Sequence, residues 1–336
     1  MAIKIPEELK ADVPQTTWGK VLSATPIVMT VVATMLAGLA SSEMTRAQYD
    51  RALAAQQQSK AGDQWGFFQA KRLRGAVQHN ALDILQATTD THPLRGATLR
   101  KSIAELALPP DLAAAEEIRK DTLTVLDSAD GKKTLAVLEK GELPGEVTAP
   151  TMDPKLKGAI EAVEGFKPDA EMIATLAQVD DQAITAAIHA TREKTQELDS
   201  LLQPISQTID TLEKLLSRQM AVLGASGGAA EALARSLNRD FTAARLRYTG
   251  LRYEAEARLN QRIANLMELP VRKNNFTAER HHNRSQQFFF GMLGAQMAVI
   301  ISTFAVAARK RNLLWSLAAA AGLAAIVFAI YVYVYL

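Results

Sequence analysis

The stretch that decides the fold is "FFFGMLGAQMAVIISTFAVAARKRNLLWSLAAAAGLAAIVFAIYVYVYL", Phe288–Leu336: two apolar runs, 288–308 and 313–336, joined by the basic link 309–312, "RKRN". Each run has the length, about 20 residues, that a helix needs to cross ~30 Å of hydrocarbon. A third uncharged run, "VLSATPIVMTVVATMLAGLA" at 21–40, follows a short tail, 1–20. It is too long for the core of a cleavable signal and reads as a retained anchor. The sequence therefore predicts an all-α membrane protein with three transmembrane helices, its first partner being the lipid bilayer itself.

Between the first and second runs, 41–287 carries 33 acidic and 32 basic residues, a near-neutral balance that speaks against a nucleic-acid surface. With no cysteine in the chain, disulfides, thiolate catalysis and cysteine-ligated metals are excluded. Short basic segments stay in the cytoplasm, so the link 309–312 and the N-terminal tail are expected there and the large middle segment outside. Trp18 and Trp315 then fall at the cytoplasmic interface, with Phe288–Phe290 and Tyr331, Tyr333 and Tyr335 at the other.

Proline is absent from Ile27 to His92, and Leu73, Val77, Ala81, Ile84 and Leu85 recur at helical spacing, which predicts an outgoing helix over 41–92. Prolines then crowd 93–179, a cluster of short helices, one of them starting with Asp153 as cap and Pro154 at the first position. A small β element near "GEVTAP" is a further option there. Ile184, Ile188, Thr191, Thr195, Leu198, Leu202, Ile205, Ile209, Leu212 and Leu216 form a heptad seam over 180–222, with a kink expected at Pro204. "LGASGGAAE" reads as a turn, after which Leu233, Leu237, Phe241, Ala244, Tyr248, Leu251, Ala255, Leu259, Ile263 and Leu266 mark a return helix within 223–287. Pro270 and "KNNFTAE" are expected to break it before the second span, with Thr277 as cap. The whole is a long antiparallel helical hairpin, a coiled-coil-like stalk with a distal helical insertion.

"WGFFQAK" at 65–71, together with "HHNRSQQFFFGMLGAQMAV" near the C-terminal hairpin, resembles the bacterial membrane family catalogued as domain of unknown function 4337. The matching positions are Trp65, Phe68, Gln69, Ala70, Lys71, a histidine of the pair His281 and His282, and Gln296. The resemblance implies a multi-pass protein of the bacterial inner membrane and implies no activity.

No zinc-protease spacing joins any two of the five histidines, and no phosphate loop is present. No span carries an ionisable residue, which argues against a carrier or pump. The chain is therefore expected to be no enzyme, with no cofactor, no metal and no catalytic residue. The expected function is a non-catalytic membrane-anchored scaffold or accessory subunit, assembling with itself or a larger membrane complex; the alternative is an oligomeric sensor or channel-like subunit. Two residue sets carry that expectation. Counting equal distances along antiparallel helices sets Trp65 beside Arg262 and Ile263, Phe68 beside Leu259, Lys71 beside Glu256 and Arg72 beside Glu254, with Gln69 in the same run. This is either a structural clasp or an exposed docking patch. Within the spans, Gly38, Gly291 and Gly294 have small-residue spacing for helix packing, and Gln296 is expected to hydrogen-bond to another span or another copy.

Overall fold

A computed structural model describes residues 17–106, 113–145, 150–223, 228–308 and 311–335. Among these the chain is helical, with no strand: α1 (Thr17–Thr88), α2 (Gly96–Ala104), α3 (Ala113–Asp127), α4 (Ala129–Lys140), α5 (Pro154–Glu164), α6 (Asp169–Leu176), α7 (Asp181–Leu223), α8 (Ala229–Ala307) and α9 (Arg311–Tyr335). Helices α1, α8 and α9 are each long and apolar enough to cross a membrane. Residues 146–149 of the "GEVTAP" stretch, 224–227 of the "LGASGGAAE" turn, Arg309, Lys310 and the side chains of Trp18 and Arg311 lie outside the described residues.

The chain forms two compact units, one of residues up to Gln57 plus those from Pro270 onward, the other Gln58–Leu269. In the first, α9 and the ends of α1 and α8 bury Ala33, Leu36, Ala40, Phe288, Ala295, Ala325 and Val332 together. Gly291 lets Leu36 and Phe328 approach to 3.5 and 3.7 Å of where a Cβ would stand, and the Trp315 indole donates to Thr25 Oγ1 at 3.0 Å. Nearer Gln57, α1 and α8 run antiparallel. Ser285 Oγ donates to the Ala40 carbonyl, His281 Nδ1 meets Glu43 Oε2 at 2.5 Å, and Asn274 donates to Gln57 at 2.7 Å. Between these pairs the buried positions repeat every seven residues, as Ala40, Ala47 and Ala54 on α1 and as Val271, Ala278 and Ser285 on α8. Side chains this small allow two helix axes to come close.

The second unit is built on α7 and α8. The heptad seam of α7 is buried from Ile184 through Leu198, Leu202, Ile205, Ile209 and Leu212 to Leu216, and it meets Phe241, Tyr248, Ala255 and Leu259 of α8. The short helices close this core with Leu99, Ile103, Leu126, Leu135 and Leu138. Their ends are specified locally: the Ser128 hydroxyl accepts from Gly131 N at 2.9 Å, and Gly141 closes α4 in the left-handed conformation, φ +67°. Gly131 has no alternative, since a Cβ there would lie 1.9 Å from the Val125 carbonyl oxygen. Asp153 caps α5 through Lys155 N at 2.8 Å with Pro154 first in the helix, as its sequence predicts.

Two sequence expectations fail here. α8 runs unbroken through Pro270, because a proline removes one hydrogen bond while the burial of Leu266, Leu269 and Val271 holds the helix on either side. Thr277 is consequently no cap: inside the helix its hydroxyl returns to the Lys273 carbonyl at 2.9 Å. The outgoing helix forms as part of α1, and in the second unit its Leu73, Val77 and Ile84 are exposed while Ala61, Gly75 and Leu82 are buried. Pro204 lies inside α7, which is a single element from Asp181 to Leu223.

Candidate interaction surface

In the second unit α1 lies antiparallel along α8 with glycine and alanine at the closest points. A Cβ on Gly75 would meet Tyr253 Cβ at 3.5 Å, and one on Gly250 would meet the His79 ring at 2.9 Å. With the backbones this close, the flanking side chains reach across. Gln64 donates to Asn260 Oδ1 at 2.6 Å, Trp65 Nε1 donates to Glu268 Oε1 at 2.8 Å, and Lys71 donates to Glu256 Oε2. Trp65 and Phe68 pack edge to face, with ring centroids 5.5 Å apart.

Glu256 is the centre of the arrangement. Its side chain is only 3% exposed, and besides Lys71 it accepts from Arg252 Nε at 2.7 Å. Arg252 in turn donates to Ser206 Oγ of α7 at 2.9 Å, and Ser206 lies 3.3 Å from the Tyr248 hydroxyl. One chain of polar contacts thus joins α1, α8 and α7. Burial alone would lower the Arg252 pKa, but the hydrogen bond and charge of Glu256, with the smaller contributions of Tyr248 and Asp199, outweigh it and hold the guanidinium above its ordinary value. Tyr248 is pushed up, first by burial, against the opposing effects of Ser206 and Arg252.

The sequence-predicted residues fall on both sides of this line. Lys71 pairs with Glu256, but Trp65 is half-buried and bonds Glu268, further along α8 than Arg262 and Ile263. Glu254 faces His79 at 3.0 Å and Arg258 at 3.5 Å rather than Arg72, whose guanidinium lies 6.0 Å from the Phe68 ring centre. Leu259 belongs to the core facing α7, Ile263 is buried, and Arg262 donates to the Pro150 carbonyl, with its pKa lowered by burial. Gln69 is exposed. Phe68, Arg72, His79, Glu254, Arg258 and Gln261 line an open groove of about 510 Å³.

Among the span residues, Gly291 and Gly294 pack against neighbours, a Cβ on Gly294 standing 3.5 Å from Ala325 Cβ, whereas a Cβ on Gly38 would meet nothing within 4 Å. Gly38 is turned away from the arc of Ala33, Leu36 and Ala40 that faces the other helices. Gln296 is exposed and bonds no other span among the described residues. The sequence reading missed Gly322, where a Cβ would stand 2.4 Å from Met29 Sδ, and His79, whose ring fills the space over Gly250. No group of three or more His, Asp or Glu among the described residues is placed to hold a metal ion.

Residues 18–121 match the family model described as Domain of unknown function (DUF4337), which takes in α1 with Trp65–Lys71 and reaches into α3. No curated protein and no solved structure gives a match.

Proposed function

We propose that the chain is a non-catalytic, membrane-anchored helical scaffold or accessory subunit of the bacterial inner membrane, whose helices outside the bilayer offer contact surfaces to other copies or to a partner complex. The observation that carries this reading is on α1 of the second unit. Leu73, Val77 and Ile84 lie on one stripe of the helix, each more than half exposed, with Phe67 also exposed nearby. A long helix outside the apolar runs gains nothing from such a row unless another surface covers it.

The polar chain centred on Glu256 supports the same reading, since it fixes α1 against α8 and α7 and so presents the row on a rigid backing. The basic link 309–312 supports an N-terminus in the cytoplasm and the segment 41–287 outside it. With no native thiol, Ser128→Cys reports this directly: an impermeant maleimide is expected to label intact cells, and labelling only after lysis reverses the orientation.

The test of the scaffold reading is the assembly of the full chain in mild detergent, compared with a Leu73→Lys, Val77→Glu variant. The variant is expected to keep its helix content and melting while losing mass in native electrophoresis. An unchanged assembly would remove the row from the contact surface, and a ring with an axial pore would favour the channel-like alternative.

A further inference from the structure

Within the first unit, one side of α8 is buried through Ala295, Ala298, Ser302 and Ala305. The other side presents Phe289, Leu293, Gln296, Ile300 and Thr303 outward in steps of four, three, four and three. In this row the polar groups behave differently. Thr303 returns its hydroxyl to the Val299 carbonyl at 2.8 Å, as Thr30 and Thr34 do in α1 with Pro26 and Thr30 at 2.8 and 2.9 Å. Gln296 does not turn back on its own helix, as Gln178 does to the Ala174 carbonyl at 3.3 Å, and makes no hydrogen bond among the described residues.

Its depth makes this expensive. Gln296 lies eight residues past Phe288 in the apolar run 288–308, roughly 12 Å in from one end and ~18 Å from the other at 1.5 Å per residue, beyond the reach of its side chain to either surface. A primary amide facing hydrocarbon has nothing to replace water and costs several kcal/mol. What satisfies it must bring a donor and an acceptor to the same depth.

A carboxamide is its own complement: two of them, approaching across a two-fold axis, exchange N–H···O bonds in both directions. The four-three spacing of the row is also the pattern by which like helices interlock, and a single amide in such a seam fixes register and copy number. We propose that the Phe289–Leu293–Gln296–Ile300–Thr303 face of α8 is the contact between copies of this chain inside the membrane, with the Gln296 amides paired across it. This deepens the scaffold reading and rests on its membrane anchoring.

The chain's lack of cysteine makes the test direct. Ile300→Cys, one turn from Gln296 on the same row, is expected to form disulfide dimers when membranes are treated with copper phenanthroline. The exposed Val327→Cys on α9 gives the collisional background, and Ala298→Cys, buried among the chain's own helices, should stay monomeric. Adding Gln296→Leu to Ile300→Cys should lower the dimer yield about three- to tenfold, in line with the modest worth of interhelical hydrogen bonds in lipid. Ile300→Cys at or below the Val327→Cys background, or a yield indifferent to Gln296→Leu, overturns the proposal. Alkaline carbonate extraction separates this from failure of the anchoring: release of the wild-type chain into the supernatant would overturn the membrane reading and the pairing with it, whereas a retained chain without dimers overturns the pairing alone.

Discussion

Replacing Glu256 by glutamine keeps the shape of the side chain and removes only its charge, leaving Lys71 and Arg252 facing each other across a neutral amide. Removing one member of a buried ion pair costs 3–5 kcal/mol where both charges are sealed from water. Here Glu256 is 3% exposed but Lys71 and Arg252 are each 28% exposed, so both cations can recover part of their hydration. The expected loss for Glu256→Gln is therefore roughly 2–4 kcal/mol. Lys71→Met is a different perturbation, because Glu256 keeps Arg252 at 2.7 Å and the methionine stem still lies against Tyr253; its cost should be under about 1 kcal/mol. Combined, the two changes should cost less than their sum by about 1–3 kcal/mol, since the double variant has one cation fewer to strand. The assay is denaturant unfolding of the full chain in a fixed detergent, followed by circular dichroism. A Glu256→Gln variant as stable as wild type, or a Lys71→Met variant that is equally damaged, would refute the assignment of Glu256 as the charge that holds α1, α8 and α7 together.

Gly66→Ala, at a helical site with nothing within 4 Å, should raise stability by about 1 kcal/mol through helix propensity, while Gly250→Ala, despite the same gain, should lower it because the new Cβ meets the His79 ring at 2.9 Å; paired melts of the two variants check the opposite signs. Trp65→Phe removes the bond to Glu268 while keeping most of the apolar contact, and should cost about 1 kcal/mol against about 2–3 for Trp65→Ala, as measured by the same unfolding curves. Because the folded pKa of Tyr248 is raised above its ordinary value of 10.0, the unfolded chain loses this proton first, so its contribution is complete below about pH 10 and is lost as pH rises further. Tyr248→Phe should flatten that alkaline limb of the stability profile.

Large aliphatic side chains were legible in the sequence, and small ones were not. The α7 seam could be read directly because Ile184, Leu198, Leu202, Ile205 and Leu212 are apolar, periodic and without competitors on the other faces. Along α1 the same reasoning picks out Leu73, Val77 and Ile84, the exposed row, since alanine and glycine carry little weight in an apolar count. The signal that would have found the buried side is the spacing of seven in Ala33, Ala40, Ala47, Ala54 and Ala61, continued by Gly75 and Leu82. Pro270 misleads for a related reason, because packing on both sides outweighs a local preference. The Lys71–Glu256 pair was reachable by counting along antiparallel helices, whereas the partners of Trp65 and Glu254 depend on which long side chains reach across, which counting does not supply.

The alanine spacing in the first unit has a consequence for assembly fidelity. Where Ala40, Ala47 and Ala54 lie along Val271, Ala278 and Ser285, sliding one helix by seven residues, roughly 10 Å, brings small side chains onto small side chains again, so shape by itself scarcely distinguishes the correct alignment from its neighbours. What distinguishes them is the sparse set of unlike partners: Glu43 with His281, Gln57 with Asn274, and Ser285 with the Ala40 carbonyl. A misaligned pair would leave Glu43, itself buried, without His281. These few polar contacts work as a checksum on an otherwise repetitive thread, penalising a slipped pairing through the groups it strands.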